Sequence, residues 1–225
     1  MNGFIHIIGC GKFGRRALAY YAARKEVPPL VLVDAAADEL AAAAVEMSAL
    51  GAKTPQICRE DAVVYLVRLL LDNQACAQDW IIPTAPLHLA FAVLEKISGR
   101  RRLAWESLPD LPNLFRGPRD EVYSSLADFL CPDHCPQPRR TCFVTGKKRD
   151  PSLLRRLAQL KYQSRGRILP SLILPSTQLG PGLGGFPLRR LRHLKDAIER
   201  KFPGPLLFST ACRCHGVTNI LGPGA

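Results

Sequence analysis

The sequence predicts an α/β fold, with a parallel sheet in the N-terminal half and a smaller α/β region carrying a cysteine-rich loop in the C-terminal half. Three observations predict it. Strand-length apolar runs alternate with segments of helical period as far as Trp105. Glycines at positions 9, 11 and 14 leave the first apolar run and enter the first helical segment. From Leu108 onward the chain turns proline-rich, with Pro109, Pro112, Pro118, Pro132, Pro136 and Pro138, and cysteines stand among these prolines. A boundary is therefore expected between an N-terminal domain, 1–107, and a C-terminal region, 108–225.

Each element follows from local pattern. The run Ile5-His6-Ile7-Ile8 reads as a buried strand, and Phe13, Ala17, Tyr20 and Tyr21 recur at helical spacing after it. A second strand at 30–33 ends in Asp34, and an alanine-rich helix over 38–50 is closed by Gly51. A short strand at 56–58, a helix over 60–71 and a buried strand at 80–82 come next. Leu87, Phe91 and Leu94 form the inner face of a fourth helix, and 103–105 reads as a fifth strand. Such alternation implies parallel strands joined by right-handed crossovers. In the second half, Asp150-Pro151 has the form of a helix cap and first-turn proline, with Leu153, Leu154, Leu157 and Leu160 inside the helix. A strand over 168–174, a glycine-rich loop over 180–185, a basic amphipathic helix ending at Lys201 and a strand over 206–211 complete the chain.

Gly9-Cys10-Gly11-Lys12-Phe13-Gly14 is a G-x-G-x-x-G between a strand and a helix, and Asp34 follows at a strand end about twenty residues on. In that context Gly9 permits the tight turn, Gly11 lets the backbone approach a pyrophosphate, and Gly14 lets helix pack on strand. The helix N-terminus at Lys12 and Phe13 offers N–H groups to phosphate, and Asp34 would bond the adenosine ribose and repel a 2′-phosphate. NAD is thereby expected over NADP. This stretch, about the first hundred residues, resembles the NAD(P)-binding Rossmann superfamily, especially the short NAD-binding domains of potassium-uptake regulators and small dehydrogenases. The resemblance implies a Rossmann-type parallel sheet and an NAD cofactor more firmly than it implies a reaction.

The eight cysteines are the second informative feature. Cys10, Cys58 and Cys76 stand singly and read as buried small hydrophobes. Cys131, Cys135 and Cys142 lie in one proline-stiffened loop, and Cys212 and Cys214, followed by His215, lie past the last expected strand. Soft thiolates in such number suit an iron–sulfur cluster or a structural zinc. The spacings exclude a zinc-ribbon C-x2-C pair, a c-type haem C-x-x-C-H and a C-x3-C-x2-C radical motif. Proline follows both Cys131 and Cys135, as it follows the last cysteine of bacterial ferredoxin motifs, which favours iron–sulfur. His134 is available if the metal is zinc, and whether Cys212, Cys214, His134 or His215 completes the site is open.

Composition narrows the class. With 225 residues and 47% hydrophobic content the chain can bury a sizeable core. No apolar stretch reaches the length of a membrane span. The N-terminus reads as strand and phosphate loop rather than signal peptide, so a cytoplasmic location with reduced thiols is expected. The net charge of +12 is scattered over Arg100 to Arg102, Arg139-Arg140, Lys147 to Arg149 and the helix from Arg189 to Lys201. Aromatic content is only 7%, without basic–aromatic alternation. These charges read as solvated surface, and a nucleic-acid partner is not favoured. Self-association into a homodimer is left open.

Ligands of an open parallel sheet bind beyond the carboxyl ends of its strands, which places Thr84 for the nicotinamide ribose and His88 as general acid or base, with a capping or packing role as the alternative for His88. The loop with Gly182, Gly184 and Gly185, together with Arg189, would hold an anionic substrate at the next helix start, or else simply connect strand to helix. The resulting expectation is an NAD-dependent oxidoreductase with an associated thiolate metal centre, acting on a small-molecule substrate or redox partner. The alternative is a non-catalytic NAD- and redox-sensing module.

Overall fold

The computed structural model describes residues 3–26, 28–49, 54–72, 75 and 77–224. Gly51, expected to close a helix, and Cys76 lie outside the described residues. The fold is mixed α/β. It divides into two compact units, Met1–Leu89 with Gly185–His193, and Ala90–Gly184 with Leu194–Ala225. The boundary expected at 107/108 thus falls inside the second unit.

In the first unit, strands β1 (Ile5–Ile8), β2 (Leu30–Asp34), β3 (Gln56–Arg59) and β4 (Trp80–Pro83) alternate with helices α1 (Lys12–Ala22), α2 (Ala37–Ala49) and α3 (Ala62–Leu71). The strands are mutually parallel in the order β3-β2-β1-β4. Register runs Ile5 to Leu30 on one side of β1 and Ile5 to Trp80 on the other. Buried on both faces, β1 and β2 are continuous apolar runs rather than alternating ones. α1 covers them with Gly14, Ala17, Leu18 and Tyr21, an i, i+3, i+4, i+7 stripe. Asp61 caps α3, its carboxylate accepting the N–H groups of Val63 and Val64 at 2.9 and 3.0 Å.

The sheet departs from the expected all-parallel form beyond β4. Strand β12 (Leu183–Pro187) brings Phe186 and Pro187 antiparallel against Ile81 and Trp80 of β4. Pro187 is the last residue of β12, so its missing N–H interrupts no further ladder. Helix α6 (Leu188–Lys201) follows at once, and the Leu188 N–H donates to Asp79 O at 2.9 Å. Arg192 of α6 then reaches the end of α3, donating to the carbonyls of Leu69, Leu70, Asp72 and Ala75 at 2.5–3.2 Å. These bonds satisfy terminal carbonyls that a helix leaves without partners.

The second unit takes α4 (Leu89–Ser98) from Ala90 onward, followed by β5 (Arg102–Leu103), β6 (Phe115–Arg116), β7 (Val122–Ser125), α5 (Leu153–Ala158), β8 (Tyr162–Ser164), β9 (Arg167–Leu169), β10 (Ser171–Pro175) and β11 (Thr177–Gly180), and later β13 (Leu206–Ala211) and β14 (His215–Leu221). A second sheet runs β10-β13-β14-β7-β6, parallel only between β10 and β13. The expected fifth parallel strand is corrected here: β5 pairs antiparallel with β14, Leu103 opposite Ile220. The strand expected over 168–174 breaks at Pro170 into β9 and β10, since proline offers no N–H to a ladder. The helix cap is Ser152 rather than Asp150, its hydroxyl accepting the Arg155 N–H. One core packs Trp105, Val122, Tyr162, Leu169, Leu207 and Ile220, and another packs Leu111, Leu153, Leu157 and Ala211. Among the described residues no helix is long and apolar enough to cross a membrane.

Candidate functional site

The turn from β1 into α1 is built by its glycines, each for a different reason. Gly9 has φ of +105°, and a Cβ there would stand 2.6 Å from the Ala85 backbone nitrogen. At Gly14 a Cβ would stand 2.0 Å from Gly9 O. Both positions are thus glycine by requirement of the fold. Gly11 differs: it caps α1 with φ −63° and ψ −163°, which any residue adopts, and a Cβ there meets nothing within 4 Å among the described residues. Having no side chain, Gly11 also leaves the first turn of α1 uncapped by any side-chain hydrogen bond. The N–H groups of that turn lack intrahelical acceptors in any α-helix.

Asp34 closes β2 beside this turn. Its carboxylate accepts the Cys10 N–H at 2.6 Å and the Ala36 N–H at 2.9 Å, which fixes its orientation. The Thr84 hydroxyl, just past β4, lies 2.6 Å from Gly9 O and 2.9 Å from Ile8 O and ties the ends of β4 and β1 together. Lys12 lies over the half-exposed Phe13 ring at 5.5 Å. Cys10 is fully buried, and burial, reinforced by Asp34 and Glu39, pushes its thiol up to about 12. His88, the expected acid or base, directly precedes α4 and is buried.

A second polar constellation in this unit had no sequence signal beyond single residues. His6 sits within the apolar run of β1, its Nδ1 2.7 Å from the Tyr65 hydroxyl and its Nε2 3.4 Å from the Asp79 carboxylate. Asp79 also accepts the Phe4 N–H at 2.9 Å. Burial lowers the His6 pKa against the opposing pull of Asp79 and raises that of Tyr65.

The glycine-rich loop is corrected. Gly180 ends β11, Gly182 forms a hairpin turn with φ of +68°, and Gly184 and Gly185 lie inside β12, so strand residues separate them from the start of α6 at Leu188. The Gly182 N–H is spent on Cys135 O at 3.0 Å. Arg189 directs its guanidinium to Ala77 O at 3.5 Å. The loop joins strand β11 to strand β12, which is neither a helix start nor the strand-to-helix connection expected as the alternative.

In the second unit the structure brings the cysteine segments together on three turns. Cys212 to His215 closes the β13–β14 hairpin, with the Cys212 N–H donating to His215 O at 2.9 Å. There the N–H groups of Cys214 and His215 point at Cys212 Sγ, at 3.5 and 3.3 Å, and the Gln137 amide donates to the same sulfur at 2.8 Å. Cys142 opens a turn closed by Gly146, whose φ is +65°; the Thr145 N–H donates to Cys142 Sγ at 3.5 Å. The Gln137 N–H likewise donates to Cys135 Sγ at 3.4 Å. Cys131 Sγ lies 3.4 Å from His215 Nε2. His134 instead packs edge-on against Phe143.

Arg149, read in the sequence as part of a solvated basic run, is buried and donates to both Cys142 Sγ and Cys214 Sγ. Arg100 departs from that reading in the same way, buried with its guanidinium on the carbonyls of Phe202, Gly204 and Gly222. Burial pushes the Cys142 thiol up, but Thr145, Val144 and Arg149 outweigh it and bring the thiol down to about 6. Burial is likewise outweighed at Cys212, by His215 and the turn N–H groups, giving about 7. At Cys214 burial prevails over Arg149, and the thiol is pushed up to about 11. Among the described residues, no three of His, Cys, Asp and Glu converge as the ligands of an ion would; the sulfurs are neighbours without a common centre.

Comparison with known proteins places the second half of the chain. A family model, AF_1314_C, described as an uncharacterized protein's C-terminal domain, matches residues 79–222. An Archaeoglobus fulgidus protein described as "Uncharacterized protein" is 30% identical over 151 residues, covering 64% of this chain and 65% of that protein. The chain thus spans about 65% of the length of this curated relative. The family match takes in Cys131, Cys135, Cys142, Cys212 and Cys214 and begins well after Asp34. By the extent of that match, the chain belongs to the AF_1314_C family.

Proposed function

We propose that the chain is an NAD-dependent oxidoreductase whose first unit binds the dinucleotide at the turn from β1 into α1. The observation that carries this reading is Gly11. Gly9 and Gly14 are explained by the fold, whereas open space surrounds Gly11 and its backbone angles suit any residue. A glycine that the fold does not need is accounted for by a ligand whose pyrophosphate approaches the backbone there. The strand order β3-β2-β1-β4 supports a Rossmann-type sheet, and Asp34 stands at the end of β2, where such sheets bond an adenosine ribose. NAD, when bound, supplies a hydride acceptor or donor. The residues of the chain do the rest: the first turn of α1 directs N–H dipoles at phosphate, Asp34 accepts from ribose hydroxyls and repels a 2′-phosphate, and Thr84 holds the strand ends in place.

Burial of His88, the candidate for proton transfer, favours a second reading, in which the same site senses NAD without turnover. Calorimetry with NAD on wild type and Gly11→Val tests the site. Wild type should bind, and Gly11→Val should keep its melting temperature while losing binding. Equal affinity in the two proteins would remove the role given to Gly11. Turnover of NADH across a panel of carbonyl compounds separates enzyme from sensor.

A further inference from the structure

We propose that Cys131, Cys135, Cys142 and Cys212 are the four ligands of a metal–thiolate centre in the second unit, with Cys214 and Arg149 standing outside the coordination sphere. The occupant is a zinc ion or an iron–sulfur cluster, the metals that an all-thiolate set selects.

Three features carry this assignment. First, three sulfurs accept backbone N–H groups from the turn that follows them: Cys135 from Gln137, Cys142 from Thr145, and Cys212 from Cys214 and His215. A neutral thiol is a weak acceptor, so N–H groups aimed at sulfur serve a thiolate, and such bonds orient and tune the sulfurs of metal centres. Second, Arg149 is buried, and sulfurs are the charge partners the structure gives it. A buried guanidinium without an anion is strongly destabilising. Four thiolates around a divalent ion leave a net charge of about −2, which a buried arginine offsets in part. Third, hydrogen bonds link the cysteine segments: Gln137 donates to both Cys135 Sγ and Cys212 Sγ, and Arg149 to both Cys142 Sγ and Cys214 Sγ. Cys131 also shares His215 with the Cys212 turn.

Cys214 is set apart. It is fully buried, its own N–H serves Cys212, and its sulfur meets Arg149. Because the sulfurs of the four proposed ligands share no common centre among the described residues, metal binding would be coupled to closing the segments that carry them.

The test uses the full chain, purified without oxygen after loading with zinc chloride in one preparation and with ferrous iron and sulfide in another. One equivalent of zinc without sulfide, or iron with matching acid-labile sulfide, each supports a four-thiolate centre and says which kind it is. A chain that retains neither overturns it. Serine at Cys131, Cys135, Cys142 or Cys212 should lower metal content at least tenfold, whereas Cys214→Ser should retain it. Loss in Cys214→Ser equal to that in Cys142→Ser overturns the assignment. Should the variants fail to fold, X-ray absorption on the loaded wild type decides: a shell of sulfur alone, at about 2.3 Å for zinc, supports the assignment, and a nitrogen ligand overturns it.

Discussion

The carbonyl oxygen of Gly9 occupies the space that a Cβ at Gly14 would need, at a separation of 2.0 Å. Both partners are backbone, one at the end of β1 and the other in the first turn of α1, so neither can yield without moving an element. Gly14→Ala should therefore lower the unfolding free energy by about 3 kcal/mol and shift the urea midpoint accordingly. The contrast with Gly11→Val is the informative comparison, because one glycine serves packing and the other serves approach. Equal stability losses in the two variants would dissolve that distinction.

Asp34→Ala should weaken NAD about tenfold, or ~1.4 kcal/mol, and relax the discrimination against NADP. The carboxylate also holds the N–H groups of Cys10 and Ala36, so the variant should lose some stability as well. Calorimetric titration with both nucleotides checks this. A wild-type chain that prefers NADP tenfold would contradict the role of Asp34.

The His6 network predicts a pH dependence of stability. Burial between Tyr65 and Asp79 lowers the imidazole pKa below its ordinary 6.5 despite the carboxylate. The unfolded chain then binds more protons than the folded one in the window between the lowered pKa and 6.5. Stability from this residue is complete above 6.5 and is lost as pH falls through that window. Denaturant unfolding measured from about pH 8 to about pH 5 should show the loss, and His6→Gln should flatten it. A profile unchanged by the substitution would count against the network.

Arg192→Met should cost about 2 kcal/mol and reduce hydrogen-exchange protection at the C-terminal end of α3. The guanidinium serves carbonyls of Leu69, Leu70, Asp72 and Ala75 at once. Lysine, with a compact ammonium in place of a planar fork, should not rescue it. Full protection in Arg192→Lys would show that charge alone suffices.

Local pattern was enough to determine strands β1 to β4 and helices α1 to α3, the glycine turn with Asp34, and the grouping of cysteines into two segments. Apolar runs, helical spacing and turn residues act over a few positions, and those positions are adjacent in the chain. Tertiary structure decided the rest. Gly182, Gly184 and Gly185 read as an anion-binding loop, yet Gly184 and Gly185 lie in a strand that carries Phe186 against Ile81 of β4. β5 reads as a continuation of the first sheet, but its partner is β14, more than a hundred residues away. Arg149 sits in a basic run that resembles solvated surface, and only the fold places sulfurs around its guanidinium. In each case the deciding partner is distant in sequence, so its hydrogen bonds and charge leave no periodic trace in the residues they govern.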